Sequence, residues 1–551
     1  SQNDWEGWCE CDRCRRVEQE EGGEHSGPLL RFVNAVAEDI GKRHPGKLID
    51  TLAYWYTENP PLKVRPAPNV RIRLCPIGIC VSHSFLTCPR SAYFRRNLEA
   101  WSKITNQLYI WHYNTNFSHY PLPFPDFDEL AADVPVYKKQ GVVGLFMQGA
   151  YAKGGGGEQS ELRAYVLARQ LWDPSTNVSK TVDEFLQGVY GAAAKPIREY
   201  FDLLHAEVRG PAGKHLWIFN IPDYSPQFLP RAHQLFDRAE KLATDDATRR
   251  RIHKARIPVE YYQLLRDSQF SIRDGFYTPP QLDPLKTRAL ALFAKMRTHG
   301  IESIHEGQPL DRDEKTWAAM KPLRAYTLEN AAWRIDIVPD LSGRAVRMID
   351  KSTGRDLLRQ FPPGESGYPN NGGILATLHA DYHARPVEIT WTADQPQNNT
   401  ITLHGRTEHL TVTRTLTLQP QGLRTETFVS NKGATPTTVA LQVRAELNPG
   451  DIDKAAIAYP QRATQTLLEG GQLPTGRLDW QDAEVPAGTI TLQTTPGPAV
   501  LTQFPKQTVR RAYATWTAKS RGGVTIGLWS EEKPLAPGDS MRLEATYGKQ
   551  P

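Results

Sequence analysis

Carboxylates, aromatic rings and amides recur in the first third of the sequence, each close to the end of a short apolar segment. The carboxylates that could take part in catalysis are Asp4, Glu58, Glu158 and Glu161. The side chains that could hold a ligand beside them are Asn3, Trp111, His112, Tyr113, Asn114, Gln148 and Tyr151. Two carboxylates can share the acid and nucleophile roles of glycoside hydrolysis, and flat rings bind sugars, so this set fits that reaction.

Asp4, which follows the amide of Asn3, is the first candidate for the acid. It could also polarise an acetamido group of the substrate, because some glycosidases use that group as the nucleophile. As an alternative, Asp4 could only cap a turn. Glu158 and Glu161 follow four glycines where a helix begins, so they could instead interact with the helix amino terminus, a contribution of roughly 0.3 to 1 kcal/mol. Trp111 and Tyr113 alternate along a strand and should point to the same side, either against a sugar or into the core.

The sequence lacks the usual motifs of phosphate-binding loops and of metal sites. The GGGGEQS segment has no Lys-Ser/Thr pair of a phosphate-binding loop. His83, His112 and His119 show no HxH or HExxH spacing, so we predict ordinary hydrogen-bonded histidines, no metal site and no cofactor. The cysteines favour two or three disulfides or buried thiols over a metal site, since CxCxxC is not a standard zinc spacing. They are Cys9, Cys11, Cys14, Cys75, Cys80 and Cys88.

Short apolar strands alternating with helices position these residues. This order predicts parallel βα units, in which ligands lie at the carboxyl ends of the strands. The predicted strands are Leu48–Thr57, Val70–Ile77, Gln107–His112 and Val142–Phe146, and the predicted helices begin at Ser26 and lie near Phe94–Ile104, Asp128–Lys139 and after Glu158. If Asp4 ends strand four, these units form the C-terminal half of a (β/α)8 barrel whose N-terminal part is missing from the chain.

The remaining sequence changes its pattern twice. Residues 178–320 carry helical patterns and are predicted as a helical domain, while the charged run RRVEQEEGGEH near the start is predicted as a solvated loop. Residues 321–551 show short alternating strands separated by turn residues, which predicts an all-β sandwich. The predicted strand segments are WRIDIV, AVRMID, EITWTA, TITLHG, LTVTRTLTL, TETFVS, TVALQVRAEL, TITLQTT, GVTIGLW and MRLEATY. The predicted fold class is therefore multidomain, α/β followed by α and by β, with the half barrel at residues 1–177.

Composition limits the partners of the chain. Its 66 basic and 61 acidic residues are interspersed, so the net charge of +5 does not indicate nucleic acid binding. Apolar runs long enough to span a membrane are missing from the sequence, and the oligomeric state stays open. We expect a glycan substrate and a periplasmic or secreted location. Because half of the barrel would lie upstream of Ser1, we expect this fragment alone to be inactive.

Three motifs resemble the bacterial domain-of-unknown-function family associated with glycoside hydrolase family 163. They are QNDWEGWCECDRC, WSKITNQLYIWHYNTNFSHYPLPFPDF and GVVGLFMQGAYAKGGGGEQSELRAYVLARQLWDP. The resemblance covers about Ser1 to His205 and implies a (β/α)8 catalytic barrel with endo-β-N-acetylglucosaminidase activity on complex N-glycans. The later segment AAWRIDIVPDLSGRAVRMIDKSTGRDLL resembles the first strands of a galactose-mutarotase-like β-sandwich, with Gly343-Arg344 at a turn.

The leading hypothesis is a retaining glycoside hydrolase for N-acetylhexosamine-containing glycans, in which the substrate acetamido group is a candidate nucleophile. An exo-acting or uronic-acid-specific, α-glucuronidase-like enzyme is the first alternative, because Arg73 and Lys153 could bind a carboxylated sugar. A non-catalytic carbohydrate-binding protein with a degenerate barrel is the second. It is suggested by Met147 at a strand end where a carboxylate would serve catalysis.

Overall fold

The computed structural model describes residues 8–9, 11–151, 157–210, 213–365, 367–460, 462–467, 475–517 and 522–550. The chain divides into two compact units. The first consists of Ser1–Leu264 with Arg288–Ala318, and the second of Leu265–Thr287 with Ala319–Pro551. Within the described ranges, every helix is too short or too polar to cross a membrane.

The first unit contains a four-stranded parallel sheet. Its strands are hydrogen-bonded in sequence order, β1 Ile49–Ala53, β2 Val70–Leu74, β3 Leu108–Tyr113 and β4 Gly144–Gln148. The accompanying helices are α1 Asp12–Glu20, α2 Ser26–Arg43, α3 Ala92–Ser102, α4 Phe127–Lys139 and α5 Ser160–Trp172. This order confirms the predicted parallel βα units, although four strands alone do not show half of a barrel.

The two faces of this sheet differ because side chains alternate along each strand. One face is buried and packs in the same core as helix residues such as Leu30 of α2 and Phe94 of α3. Its strand residues include Ile72, Leu74 and Ile110. The opposite face is half-buried and carries Arg71, Arg73, Tyr109 and Trp111. The predicted ligand residues on the odd positions of β3 therefore lie on the more open face.

The charged run near the start is not a solvated loop, as the sequence suggested. Its first part forms α1, and Glu21 directly after this helix is buried. The Glu21 carboxylate accepts hydrogen bonds from the backbone N–H groups of Lys63 and Val64 at 2.8 and 2.9 Å and from Arg31 at 2.6 Å. These partners are 10 to 43 residues away, so the local charge pattern could not indicate the burial.

Helices continue beyond the sheet, as the apolar spacing predicts. They are α6 Val178–Tyr190, α7 Ala194–Ala206, α8 Phe228–Leu242, α9 Asp246–Asp267, α10 Leu282–Thr298 and α11 Leu310–Ala319. A small antiparallel sheet interrupts this series and belongs to the second unit. It consists of β5 Ser271–Arg273, β6 Phe276–Thr278 and β7 Leu323–Arg324.

The second unit contains two large antiparallel sheets that share one hydrophobic core. The first sheet contains β8 Tyr326–Glu329, β9 Trp333–Val338, β10 Arg344–Asp350, β11 Arg355–Asp356, β12 Gly373–His379, β13 Pro386–Val387, β18 Thr437–Leu447, β21 Thr475–Gln481, β24 Arg511–Thr517, β25 Gly523–Trp529 and β26 Lys533–Leu535. The second contains β14 Thr390–Ala393, β15 Thr400–Arg406, β16 Leu410–Gln419, β17 Gly422–Asn431, β19 Ala456–Tyr459, β20 Arg462–Thr466, β22 Thr489–Gln493, β23 Val500–Gln503 and β27 Ser540–Lys549.

This arrangement confirms the predicted β-sandwich. Inward residues such as Trp333 and Val443 of the first sheet lie in the same core as Leu416 and Leu543 of the second. Gly343 occupies the turn between β9 and β10, as predicted, with a φ of 60°, whereas Arg344, predicted at the same turn, is the first residue of β10. A Cβ atom there would also lie 3.2 Å from the ring of Trp391, so glycine suits both the backbone and the packing.

Candidate functional site

A cavity of about 530 Å³ opens at the carboxyl ends of β1 to β4. We call it the strand-end cavity. Aromatic rings dominate its lining, together with one amide, one thiol and one carboxylate. The lining residues are Leu52, Tyr54, Cys75, Ile77, Trp111, Tyr113, Phe117, Gln148, Ile218, Phe219 and Glu306. Its position agrees with the rule that ligands of parallel α/β folds bind beyond the carboxyl ends of the strands.

Strand register brings three predicted ligand residues together in this cavity. Trp111 and Tyr113 both line it, which confirms that they point to the same side of β3. Tyr113 pairs with Gln148 of the neighbouring strand, so the amide lies beside the two rings. The indole Nε1 of Trp111 donates a hydrogen bond of 2.6 Å to Gln148 Oε1, which fixes the orientation of both side chains.

The facing wall of the cavity comes from distant parts of the first unit. The backbone N–H of Phe117 donates to Ile218 O at 2.7 Å, and the N–H of Glu306 donates to Phe117 O at 3.3 Å. These bonds place the exposed Glu306 carboxylate at the cavity. Sequence reasoning missed Glu306 because it lies in a loop outside the strand pattern, where nothing local indicates a ligand.

His112 does not line the cavity, which corrects its prediction as a substrate ligand. It alternates with Trp111 and Tyr113, so it lies on the covered face of the sheet and is only 1% exposed. Its Nδ1 lies 3.2 Å from the Tyr137 hydroxyl and its Nε2 lies 3.3 Å from Glu129 Oε2. Burial lowers the pKa of His112 to about 4, so the ring is neutral at physiological pH.

Other predicted site residues also lie away from the cavity lining. Asn114 is buried and donates its backbone N–H to Gln148 O at 3.0 Å. Glu58 is buried, and its carbonyl accepts a hydrogen bond of 2.8 Å from Trp101 Nε1. Tyr151 is 78% exposed and is not among the lining residues. Asn3 and Asp4 fall outside the described residues.

The remaining two predicted carboxylates line a different cavity of about 310 Å³, which we call the helix-lined pocket. Its walls are mostly apolar, with charged and hydroxyl groups among them. The lining includes Glu158, Gln159, Glu161, Leu162, Phe185, Leu186, Tyr190, Ile197, Tyr200, Phe201, Phe236, Arg251 and Lys254. Glu161 is exposed and forms an ion pair with Lys254. The loss of some solvent around its carboxylate opposes ionisation, but the hydrogen bond from Lys254 outweighs this effect and lowers the pKa of Glu161.

Glu158 belongs to a buried charge network at the start of α5. Arg163 donates to Asp126 Oδ1 at 3.0 Å and to Glu158 Oε2 at 3.3 Å, and all three side chains are at least 95% buried. Burial raises the pKa of Glu158 to about 7, against the lowering effect of the Arg163 charge. Glu158 Oε1 has no hydrogen-bond partner among the described residues. Such a carboxyl group can hold or release a proton near neutral pH.

All six cysteines are free, and three of them are buried, Cys75, Cys80 and Cys88. The structure therefore supports the buried-thiol alternative for these three, whereas Cys9 and Cys11 are free and exposed and Cys14 is free and half-buried. Cys80 and Cys88 lie with His83 and His215 in a cluster that can hold a metal ion. The sequence spacing did not indicate this cluster, because His215 lies more than 120 residues away from the other three.

Comparisons with known proteins extend this description. The family described as "Domain of unknown function (DUF4838)" matches residues 1–202. A galactose mutarotase-like protein from Lactobacillus casei ATCC 334 is 12% identical over 41% of this chain and 100% of its own, with a TM-score of 0.32. A galactose mutarotase-like protein from Clostridium acetobutylicum is 12% identical over 41% of this chain and 94% of its own, with a TM-score of 0.32. No curated protein matches the sequence.

Proposed function

We propose that the first unit is a glycoside hydrolase domain for N-acetylhexosamine-containing glycans, retaining and endo-β-N-acetylglucosaminidase-like. The observation that carries this proposal is the strand-end cavity, in which Trp111, Tyr113 and Gln148 meet the carboxylate of Glu306. Its volume of about 530 Å³ lies within the range of small-ligand sites. From the sequence we expect a periplasmic or secreted location, and a glycan substrate fits such a location.

The chemistry of the lining suits an acetamido sugar. The half-buried ring of Trp111 offers an apolar surface to the C–H groups of a sugar. Because Gln148 Oε1 accepts the indole N–H, its NH₂ group is left to donate to a sugar hydroxyl or an acetamido carbonyl. The recognition we propose therefore combines one stacking surface with one oriented hydrogen-bond donor.

For catalysis we propose Asp4 and Glu306 as the working carboxylates. Retaining hydrolysis needs a proton donor and a nucleophile or a polarised acetamido group. Glu306 replaces Glu158 and Glu161 in this role, because those two line the helix-lined pocket instead. We further propose that β1 to β4 belong to a (β/α)8 barrel. The parallel strands in sequence order and the half-buried second face support this fold.

The test is release of glycan from a complex N-glycoprotein, measured by mass spectrometry, with glycan binding measured in parallel by calorimetry. We expect release by the full-length protein. Asp4→Asn and Glu306→Gln should each reduce the rate by roughly 100-fold or more while binding persists, since a general acid or base typically contributes that much. An unchanged rate in Glu306→Gln would refute its assignment, and undetectable binding would refute the site.

A non-catalytic carbohydrate-binding protein is the second candidate. One observation favours it, since Glu306 is the single carboxylate among the described residues that line the cavity. Binding without release, unaffected by Asp4→Asn, would select this function. The uronic-acid alternative gains no such support, because Arg73 pairs with Asp50 at 3.1 Å and Lys153 lies outside the described residues.

A further inference from the structure

Two thiols and two imidazoles meet beside the strand-end cavity. Cys80, His83 and Cys88 lie in the loop after β2, and His215 lies in the segment after α7. One ligand atom from each of the four residues falls within 4.8 Å of all the others. Cys80 and Cys88 are buried, His83 is half-buried and His215 is exposed, so the cluster lies at the edge of the core.

Three of the six separations between ligand atoms match the edges of a tetrahedral metal site, and the others lie within 4.8 Å. Cys80 Sγ lies 3.3 Å from His83 Nδ1 and 3.4 Å from His215 Nδ1, and Cys88 Sγ lies 3.5 Å from His215 Nδ1. Zinc binds thiolate sulfur at about 2.3 Å and imidazole nitrogen at about 2.0 Å, so a tetrahedron has sulfur–nitrogen edges of about 3.5 Å. The four atoms can therefore surround one ion with little movement.

A hydrogen bond outside the cluster orients one ligand ring. His83 Nε2 donates to the carbonyl of Val208 at 2.6 Å. This bond places the ring proton on Nε2 and leaves the lone pair of Nδ1 directed at Cys80. Metal-binding histidines usually have such an outer partner, which fixes both the tautomer and the ring orientation.

We propose that Cys80, His83, Cys88 and His215 bind a structural Zn²⁺ ion. Two thiolates with two imidazoles in a tetrahedron are typical of zinc. Because the protein supplies all four ligands, the site is closed to substrate, which separates it from the glycan chemistry of the cavity. The proposal is thus independent of the proposed function.

The ion would fasten one wall of the strand-end cavity. Around the cluster, Val81 N donates to Leu216 O at 2.9 Å and Trp217 Nε1 donates to Ile77 O at 2.7 Å. Ile77 and Ile218 then line the cavity on either side of this junction. The site therefore joins two segments that lie more than 120 residues apart in the sequence. A metal ion bound by both segments stabilises the folded chain, because its binding free energy contributes to folding.

The experiment is elemental analysis of the whole chain, purified under reducing conditions, incubated with zinc chloride and desalted. A second set of thiols, Cys9, Cys11 and Cys14, could also bind metal, so the measurement uses a background in which all three are serine. We expect one zinc per chain in this background. Cys80→Ser should lose it, whereas Cys75→Ser, a buried thiol outside the cluster, should keep it.

His215→Ala covers the case in which Cys80→Ser fails to fold, since His215 is exposed and its removal leaves the buried thiols in place. It should weaken zinc retention by at least tenfold in competition with a chelator. Cobalt reconstitution should give the visible bands of a tetrahedral thiolate site. Zinc-free protein after reconstitution, zinc retained in both variants, or a Cys80–Cys88 disulfide found by mass spectrometry would each overturn the proposal.

Discussion

The strand-end cavity and the helix-lined pocket, both in the first unit, divide between them the features expected of a glycosidase. The strand-end cavity has a stacking ring, an oriented amide and an exposed carboxylate at the ends of parallel strands. The helix-lined pocket has apolar walls and a buried carboxyl group, Glu158, whose pKa burial raises to about 7. The aromatic rings with an oriented amide and the carboxyl group with a raised pKa thus occur in different places.

This difference shows that a perturbed carboxyl group is not by itself a catalytic one. Glu158 is held by Arg163, which also binds Asp126, and this network fixes the start of α5. Its raised pKa follows from burial in the fold and needs no substrate to explain it. In the strand-end cavity, by contrast, the surface is open to a ligand and the carboxylate of Glu306 is exposed.

Replacing Arg163 should have the largest effect and should be confined to stability. Arg163→Met leaves Asp126 and Glu158 buried without their cation, which typically costs about 3 to 5 kcal/mol. Urea unfolding measures this loss. Arg169→Met on the same helix is the matched control, because Arg169 pairs with Glu184 in solvent and such pairs contribute about 0 to 1 kcal/mol. Equal losses in the two variants would contradict a buried network.

Glu158→Gln should change how stability depends on pH. The pKa of Glu158 rises from 4.5 to about 7 on folding, so the folded state binds more protons between these values. The free energy of unfolding should therefore fall as pH rises from about 4.5 to about 7, by an amount on the order of 3 kcal/mol. The variant should lack this fall while binding glycan normally. Parallel pH profiles for the two proteins would disprove the raised pKa.

Trp111→Ala should have the smallest energetic effect of the three, and it should act on binding. Loss of the stacking ring should weaken affinity for an N-acetylglucosamine oligosaccharide about tenfold, equivalent to about 1.4 kcal/mol. Calorimetry measures this change. Trp172→Ala is the matched control, since Trp172 is 92% exposed and does not line the cavity. If Trp172→Ala weakened binding as much as Trp111→Ala, the glycan would bind elsewhere.

The β-sandwich could be predicted where only one face of a strand is buried. In β16, Leu410–Gln419, buried and half-buried residues alternate along its whole length, and the predicted segment LTVTRTLTL covers almost all of it. Strand β12, Gly373–His379, was not predicted. Six of its seven residues are buried, so its apolar residues do not alternate and the period of two is lost.

The candidate site could be predicted only in part. Trp111, Tyr113 and Gln148 were found because strand ends mark ligand positions in a parallel sheet. Phe117, Phe219 and Glu306 were missed, since they lie in connecting segments without a regular period. The same limit hid the metal cluster, because His215 lies more than 120 residues from the other three side chains in the sequence.

The sequence by itself determined most of the strands and helices, with α1 and β12 as exceptions, and it determined which side of β3 bears Trp111 and Tyr113. These features follow from local periodicity, because neighbouring residues in a strand or helix have fixed relative directions. Only the tertiary structure decided that Glu306 joins these rings, that Glu158 is buried with Arg163, and that His215 reaches Cys80. Such contacts depend on how distant segments pack, and that information is spread over the whole chain and not contained in any local window.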